Sequence, residues 1–368
     1  MFIIFTVPQN TFNINKLCRL FLFTALLTTA QTTHVQALSN TRTGLAAEFG
    51  SSFRIVESHH WIIVTDTSSS RTYEIKRLLE RAHDVFYKEW GKLGATPLRH
   101  RLVCCAFRTR AGLDKYRSRL GRRTPNDPGF YSTDTNRIVI CDEDRFGSNG
   151  TSASRRGAFG AGETRIHSRT AHEAVHQLAF NANVHDRQRP CPAWFAEGLA
   201  SNYEPVSTSS SFGLSSRHPR NRLYALRAAQ NAGDLLRIRD LVAIRNGSEA
   251  YRYGKVLYPQ GAALCRFLYS RSPKGFATYK RQLSAIRIHY PSKTSLRNAF
   301  EAAFGSLEKV QREWDQFLKN PDQIPSRYSS PRPSLFGSSS SSSSKKKVTS
   351  TPPETKPRPR RRGLFQRR

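Results

Sequence analysis

Two histidines four residues apart, with a glutamate directly after the first, stand at His172-Glu173-Ala174-Val175-His176. On an α-helix that spacing puts both imidazoles on one face, about 6 Å apart along the axis, where they can grip a single metal ion. Glu173 then projects beside them, within reach of a metal-bound water. Zinc prefers four tetrahedral positions, and a zinc enzyme takes three of them from the protein and leaves one open. The third ligand can come from Pro192-Ala193-Trp194-Phe195-Ala196-Glu197-Gly198-Leu199-Ala200, where Glu197 lies 25 residues beyond His172. That interval suits a second helix packed back on the first.

H-E-x-x-H by itself also arises by chance on unrelated helices, so its neighbours carry the weight. Met1 is the only methionine, which excludes a Met-turn, and Ala179 and Ala182 stand where the longer metzincin motif requires Gly and His. What remains is a two-histidine, one-glutamate set. Together with Trp194-Phe195-Ala196-Glu197-Gly198-Leu199-Ala200-Ser201, the first motif resembles the gluzincin zinc metallopeptidases. The likeness is to their aminopeptidase-like branch and to secreted bacterial relatives of unassigned activity. Tyr258-Pro259-Gln260-Gly261-Ala262 is similar to the Tyr-x-x-Gly-Ala run that follows the zinc site in that branch. The likeness spans roughly Thr164–Leu268, less than a third of the chain.

The resemblance implies a thermolysin- or aminopeptidase-like catalytic core with a Zn²⁺ cofactor and a peptide or protein substrate. His172, His176 and Glu197 would be the metal ligands, Glu173 the general base, and Tyr258 the stabiliser of the oxyanion. Tyr251 and Tyr253 compete with Tyr258 for that role. Two departures stand out. The Gly-x-Met-Glu-Asn segment with which aminopeptidases hold a substrate amine is absent, because no methionine follows Met1. Thermolysin-like members place Asp four residues after the third ligand, and here that position is Ser201, which leaves the outer partner of a histidine unassigned and the role of nearby Glu204 open.

These residues need helices beneath them, and the pattern supplies them. Strands are expected at 53–56, 61–64 and 102–107, and a hairpin at 129–140. A helix capped near Ser68 should run to about Leu93, with Ile75, Leu78, Leu79, Ala82 and Phe86 at helical spacing. A short helix is expected at 113–120. The motif helix should span Thr164–Phe180, and Pro192 is placed to open the Glu197 helix because its missing N–H costs nothing there. Helices follow at 223–232, 258–269, 276–286, 292–304 and 307–318, with loops at 144–163 and 207–216. The fold class is α+β: a small mixed β/α lobe (51–163) with an edge hairpin, then a mostly helical lobe (164–320).

The termini differ from this core. Lys16 and Arg19, then Leu20-Phe21-Leu22-Phe23-Thr24-Ala25-Leu26-Leu27, then Val35-Gln36-Ala37, read as an export signal over 1–37 that is cleaved near Ala37. Its apolar run is too short to span a membrane, and no later segment is long enough. Residues 321–368, with seven consecutive serines and a Pro/Arg-rich end, lack the apolar content to fold and are expected to be disordered. The 368 residues hold 59 Lys+Arg against 27 Asp+Glu, a formal +32. Residues 331–368 carry eleven Lys+Arg and one acid and the leader two cations, so about +20 resides on 38–330. Such an excess favours polyanionic surfaces. No helix-turn-helix, zinc-finger or RNA-binding signature accompanies it, so sequence-specific nucleic-acid recognition is not expected. Five cysteines follow the leader; a pair between Cys104 or Cys105 and Cys141 and a set of buried free thiols are equally open. The reading is an exported zinc metallopeptidase; the alternatives are a binding protein that keeps this fold without turnover and a polyanion-adhering envelope protein.

Overall fold

The computed structural model describes residues 39–121, 128–143, 162–205, 209–216, 219–288 and 290–321. The leader and the basic tail lie outside the described residues, as does most of the 144–163 loop. Arg42–Phe49 forms helix α1, and β1 (Arg54–Glu57) pairs antiparallel with β2 (Trp61–Thr65). Helix α2 (Ser69–Trp90) follows, its N-terminus capped by Ser68, whose hydroxyl accepts from Arg71 N–H. A 3₁₀ turn at Gly91–Leu93 leads to β3 (Leu102–Phe107), α3 (Arg110–Arg119) and the hairpin of β4 (Gly129–Ser132) with β5 (Arg137–Cys141). The strands form one sheet in the order β1-β2-β3-β5-β4, with β2, β3 and β5 parallel and β4 at an edge.

The three parallel strands are buried along their whole length, as their apolar runs demand. Alternation divides their side chains between two layers. Trp61, Ile63, Cys104, Ala106, Ile138 and Ile140 join the core that contains α2, whereas Ile62, Val64, Val103, Cys105, Val139 and Cys141 face α1 and α3. The register aligns Phe107, not a cysteine, with Cys141, and all five described cysteines are buried free thiols.

The helical part starts with α4 (Gly162–Asn181) and α5 (Ala193–Ser201), the latter opening after Pro192. Then come α6 (Arg220–Asn231), α7 (Ile238–Leu241), α8 (Ser248–Arg252), α9 (Gly254–Arg271), α10 (Pro273–Ala285), α11 (Lys293–Phe304) and α12 (Leu307–Phe317). The architecture is α+β. Sequence pattern does not reveal α1, α7 and α8, because eight, four and five residues are too few turns for a helical period to stand out. Helix α9 begins four residues before Tyr258 and carries Pro259 inside, where the ring forfeits only one early ladder bond. Among the described residues no helix is long and apolar enough to cross a membrane.

Helix α4 is keyed to the sheet by polar side chains. Gln177 donates to the carbonyls of Val103 (3.1 Å) and Asn136 (2.7 Å) and accepts from Trp61 Nε1 at 2.9 Å. One turn on, Asn181 donates to Asn136 Oδ1 at 2.8 Å. One apolar cluster then runs from the sheet through α2, α4, α5 and α9 to α12, so the helix bearing the motif is held between sheet and helical layer.

Candidate metal centre

Helices α4 and α5 bring His172, His176 and Glu197 to one point. His172 Nε2 and His176 Nε2 lie 3.1 Å apart, and Glu197 Oε2 is 3.2 Å from the first and 3.6 Å from the second. Three ligand atoms held about 2.0–2.1 Å from one ion at tetrahedral angles are separated by about 3.3 Å. The triangle therefore has the dimensions of a tetrahedral site with one corner left over. All three side chains are buried, and this is the only trio of potential ligands found among the described residues.

The electrostatics favour positive charge here. Burial acts to lower the His172 pKa, yet hydrogen bonds to Glu197 and Glu204 overcome it and push the group up to about 9. Glu197 is likewise fully buried, which alone would raise its pKa, but His176 and His172 hold its carboxyl well below the usual range. In both cases positive charge stabilises the buried carboxylates, and a divalent ion at the shared point would supply it. The donor set of two imidazoles and one carboxylate suits zinc among several transition metals.

Around the trio the other site residues take distinct places. Glu173, on the same turn as His172, is fully buried, and its charge acts on that imidazole. Tyr258 sits on α9 with its ring centroid 6.2 Å from that of His172. Of its rivals, Tyr251 is 65% exposed on α8 and Tyr253 packs against the core where α9 begins. Glu204, just past α5, accepts from His172 Nδ1 at 2.9 Å. With a metal ion on Nε2, this bond would keep the ring proton on Nδ1. Glu204 is held down to about 2: burial would raise it, but Arg222 and His172 outweigh burial. His176 Nδ1 has no hydrogen-bond partner among the described residues.

Two glycines explain how α9 reaches the centre. A Cβ on Gly198 would come within 2.4 Å of the Gly261 backbone, and one on Gly261 within 3.0 Å of Trp194 O. So α5 and α9 cross with their backbones in contact, and Glu197 beside one glycine and Tyr258 one turn before the other are drawn together. Asn202 Nδ2 seals the crossing by donating to Gly198 O at 2.7 Å and Ala262 O at 2.9 Å.

Other histidines stay apart. His167 meets Glu74 at 3.3 Å, and His60 pairs with Glu80 at 2.6 Å while stacking on His83. His185, packed against Phe180 and Phe195, is pushed by burial down to about 3 and remains neutral. Sequence reasoning missed Arg222 altogether. It comes from α6, outside every motif, and no local signal points to it.

Residues 166–287, about a third of the chain, match the model of a family described as a protein of unknown function, DUF1570. No curated protein matches the chain.

Proposed function

We propose that this chain is an exported zinc-dependent peptidase of gluzincin type, with His172, His176 and Glu197 as ligands. The observation that carries the reading is the triangle of ligand atoms, 3.1, 3.2 and 3.6 Å on its sides. Bound zinc would lower the pKa of its water to about 7 and polarise the scissile carbonyl. Glu173 accepts the proton of the attacking water and returns it to the leaving amine. Tyr258 offers its hydroxyl to the oxygen on which charge develops. Glu204 keeps the proton of His172 on Nδ1, so the imidazole stays a neutral ligand. The buried setting strengthens each of these interactions by excluding water.

The catalytic unit in this reading spans residues 38–320, follows a cleaved leader and precedes a basic tail. The formal excess of about +20 on residues 38–330 supports additional contact with polyanionic surfaces. Such contact would weaken steeply with salt and, where the tail contributes, on deletion of residues 321–368.

The test is a cleavage screen on a peptide library with wild type, with wild type plus chelator, and with Glu173→Gln, alongside metal analysis of each. The reading expects one zinc per chain in wild type and Glu173→Gln, and chelator-sensitive cleavage by wild type alone. Equal cleavage by Glu173→Gln would remove Glu173 from the chemistry. Zinc retention without any cleavage would favour a binding protein.

A further inference from the structure

One cation at the centre has no part in the chemistry above. Arg222 reaches in from α6 and grips Glu204 side-on: Nε donates to Oε2 at 2.9 Å, and Nη2 donates to Oε1. Asn221 Nδ2 adds a longer contact to Oε2, at 3.4 Å. On its other side the guanidinium carbon stands 5.2 Å from the centroid of the Tyr258 ring. The same group therefore touches both the carboxylate that holds His172 and the tyrosine whose ring neighbours that histidine.

We infer that Arg222 is the positioning residue of the metal centre, fixing His172 through Glu204 and the Tyr258 ring through its own face; the inference rests on the metal reading above. The fork engages both oxygens of Glu204, so Oε1 can present itself to His172 Nδ1 in one orientation. That orientation sets the plane of the imidazole and aims Nε2 at the shared point. The face of the guanidinium lies toward the tyrosine ring, where its charge is attracted by the π-system. Charge balance points the same way. Glu173, Glu197 and Glu204 as carboxylates are neutralised by one guanidinium and one divalent ion; without Arg222 the buried centre carries a surplus negative charge.

An ordinary surface ion pair does not describe this contact, because the Glu204 side chain is 5% exposed and that of Arg222 23%. Nor is the arginine needed to dock its helix. Leu226 lies in the main core, and Arg227 donates to Leu318 O at 2.9 Å. Arg222→Met should therefore fold.

The experiment measures zinc affinity by competition with a chromophoric chelator, and the visible spectrum of the Co²⁺-loaded protein. It uses full-length wild type, Arg222→Met, Arg222→Lys, Glu204→Gln and the Arg222→Met/Glu204→Gln double variant. Arg222→Met and Glu204→Gln are each expected to weaken zinc binding about 10- to 100-fold. The double variant should lose no more than the worse single one, because both act through one path. Arg222→Lys, which keeps the charge but not the fork, should recover only part of the loss, and the Co²⁺ bands should shift in Arg222→Met. Should Arg222→Met fail to fold, Arg222→Lys and Glu204→Gln carry the comparison. Zinc affinity within twofold of wild type with an unchanged Co²⁺ spectrum, or losses that simply add in the double variant, overturns the role of Arg222 alone. A wild type that takes up no zinc overturns the metal reading and this inference with it.

Discussion

Two buried polar clusters lie on opposite faces of the sheet, and they are built on different principles. On the α1/α3 face, Arg137 is fully buried and all three of its nitrogens are hydrogen-bonded. Nε donates to Asn40 Oδ1 at 2.7 Å, Nη1 to Glu48 at 2.8 and 2.9 Å and to Tyr116 at 2.8 Å, and Nη2 to Ser39 O at 3.0 Å. Each of the three guanidinium nitrogens meets an acceptor, so the cluster ties the N-terminal segment to the sheet with partners already in place. On the α4/α5 face, two imidazole nitrogens and a carboxylate oxygen converge on one another instead. Acceptors that crowd together must share a positive charge, from the His172 proton or from a metal ion at the same point. Buried charge is therefore a poor guide to function; whether its partners are already present decides.

Breaking each cluster should give opposite phenotypes. The largest expected effect is at the metal centre: Glu173→Gln should keep zinc and lose about 10²- to 10⁴-fold in cleavage rate, whereas His176→Ala should lose both zinc and cleavage. Metal analysis beside a turnover assay reads this; a His176→Ala protein with full zinc content would remove that ligand. Next is Arg137→Met, which strands the Glu48 carboxylate and should cost about 3–5 kcal/mol of stability in denaturant unfolding. Its folded fraction should still bind one zinc, and loss of zinc at unchanged stability would blur the contrast between the two clusters.

Smaller in effect, Gly198→Ala drives a methyl into the Gly261 backbone and should destabilise by about 1–3 kcal/mol, with a fall in cleavage as Tyr258 is moved from Glu197. A substitution neutral in both respects would show that the crossing has slack. The subtlest effect concerns pH. In chelated protein, His172 is raised to about 9 against an unfolded value near 6.5. A raised pKa stabilises the fold in full below the unfolded value and is lost as pH climbs through the folded one. Thermal stability of the chelated protein should therefore decline between about pH 6.5 and 9, and the metal-loaded protein should show a shallower slope. Identical slopes would mean that no metal replaces the proton.

Much of this architecture could be read from the chain. The strand at 102–107 and the hairpin followed from apolar runs and turns, and the helix around His172 from period and spacing, because each depends on neighbours within a few residues. For Cys104, Cys105 and Cys141 the sequence leaves open both whether their strands are neighbours and the register, which sets Cys141 against Phe107. Glu204 is marked in the sequence only by its nearness to the motif, since the turn after α5 decides where its carboxylate points. No local pattern marks Arg222.

The order of residues alone dictated which groups could ligate an ion, since two histidines one helical turn apart share a face in any helix. It also dictated the α+β class, through alternation in one part and a 3.6-residue period in the other. Tertiary structure decided how those groups meet. The Gly198–Gly261 crossing, the seating of α4 by Gln177, and the reach of Arg222 from α6 all join residues far apart in the chain. Long-range packing sets such contacts, and no local period encodes it.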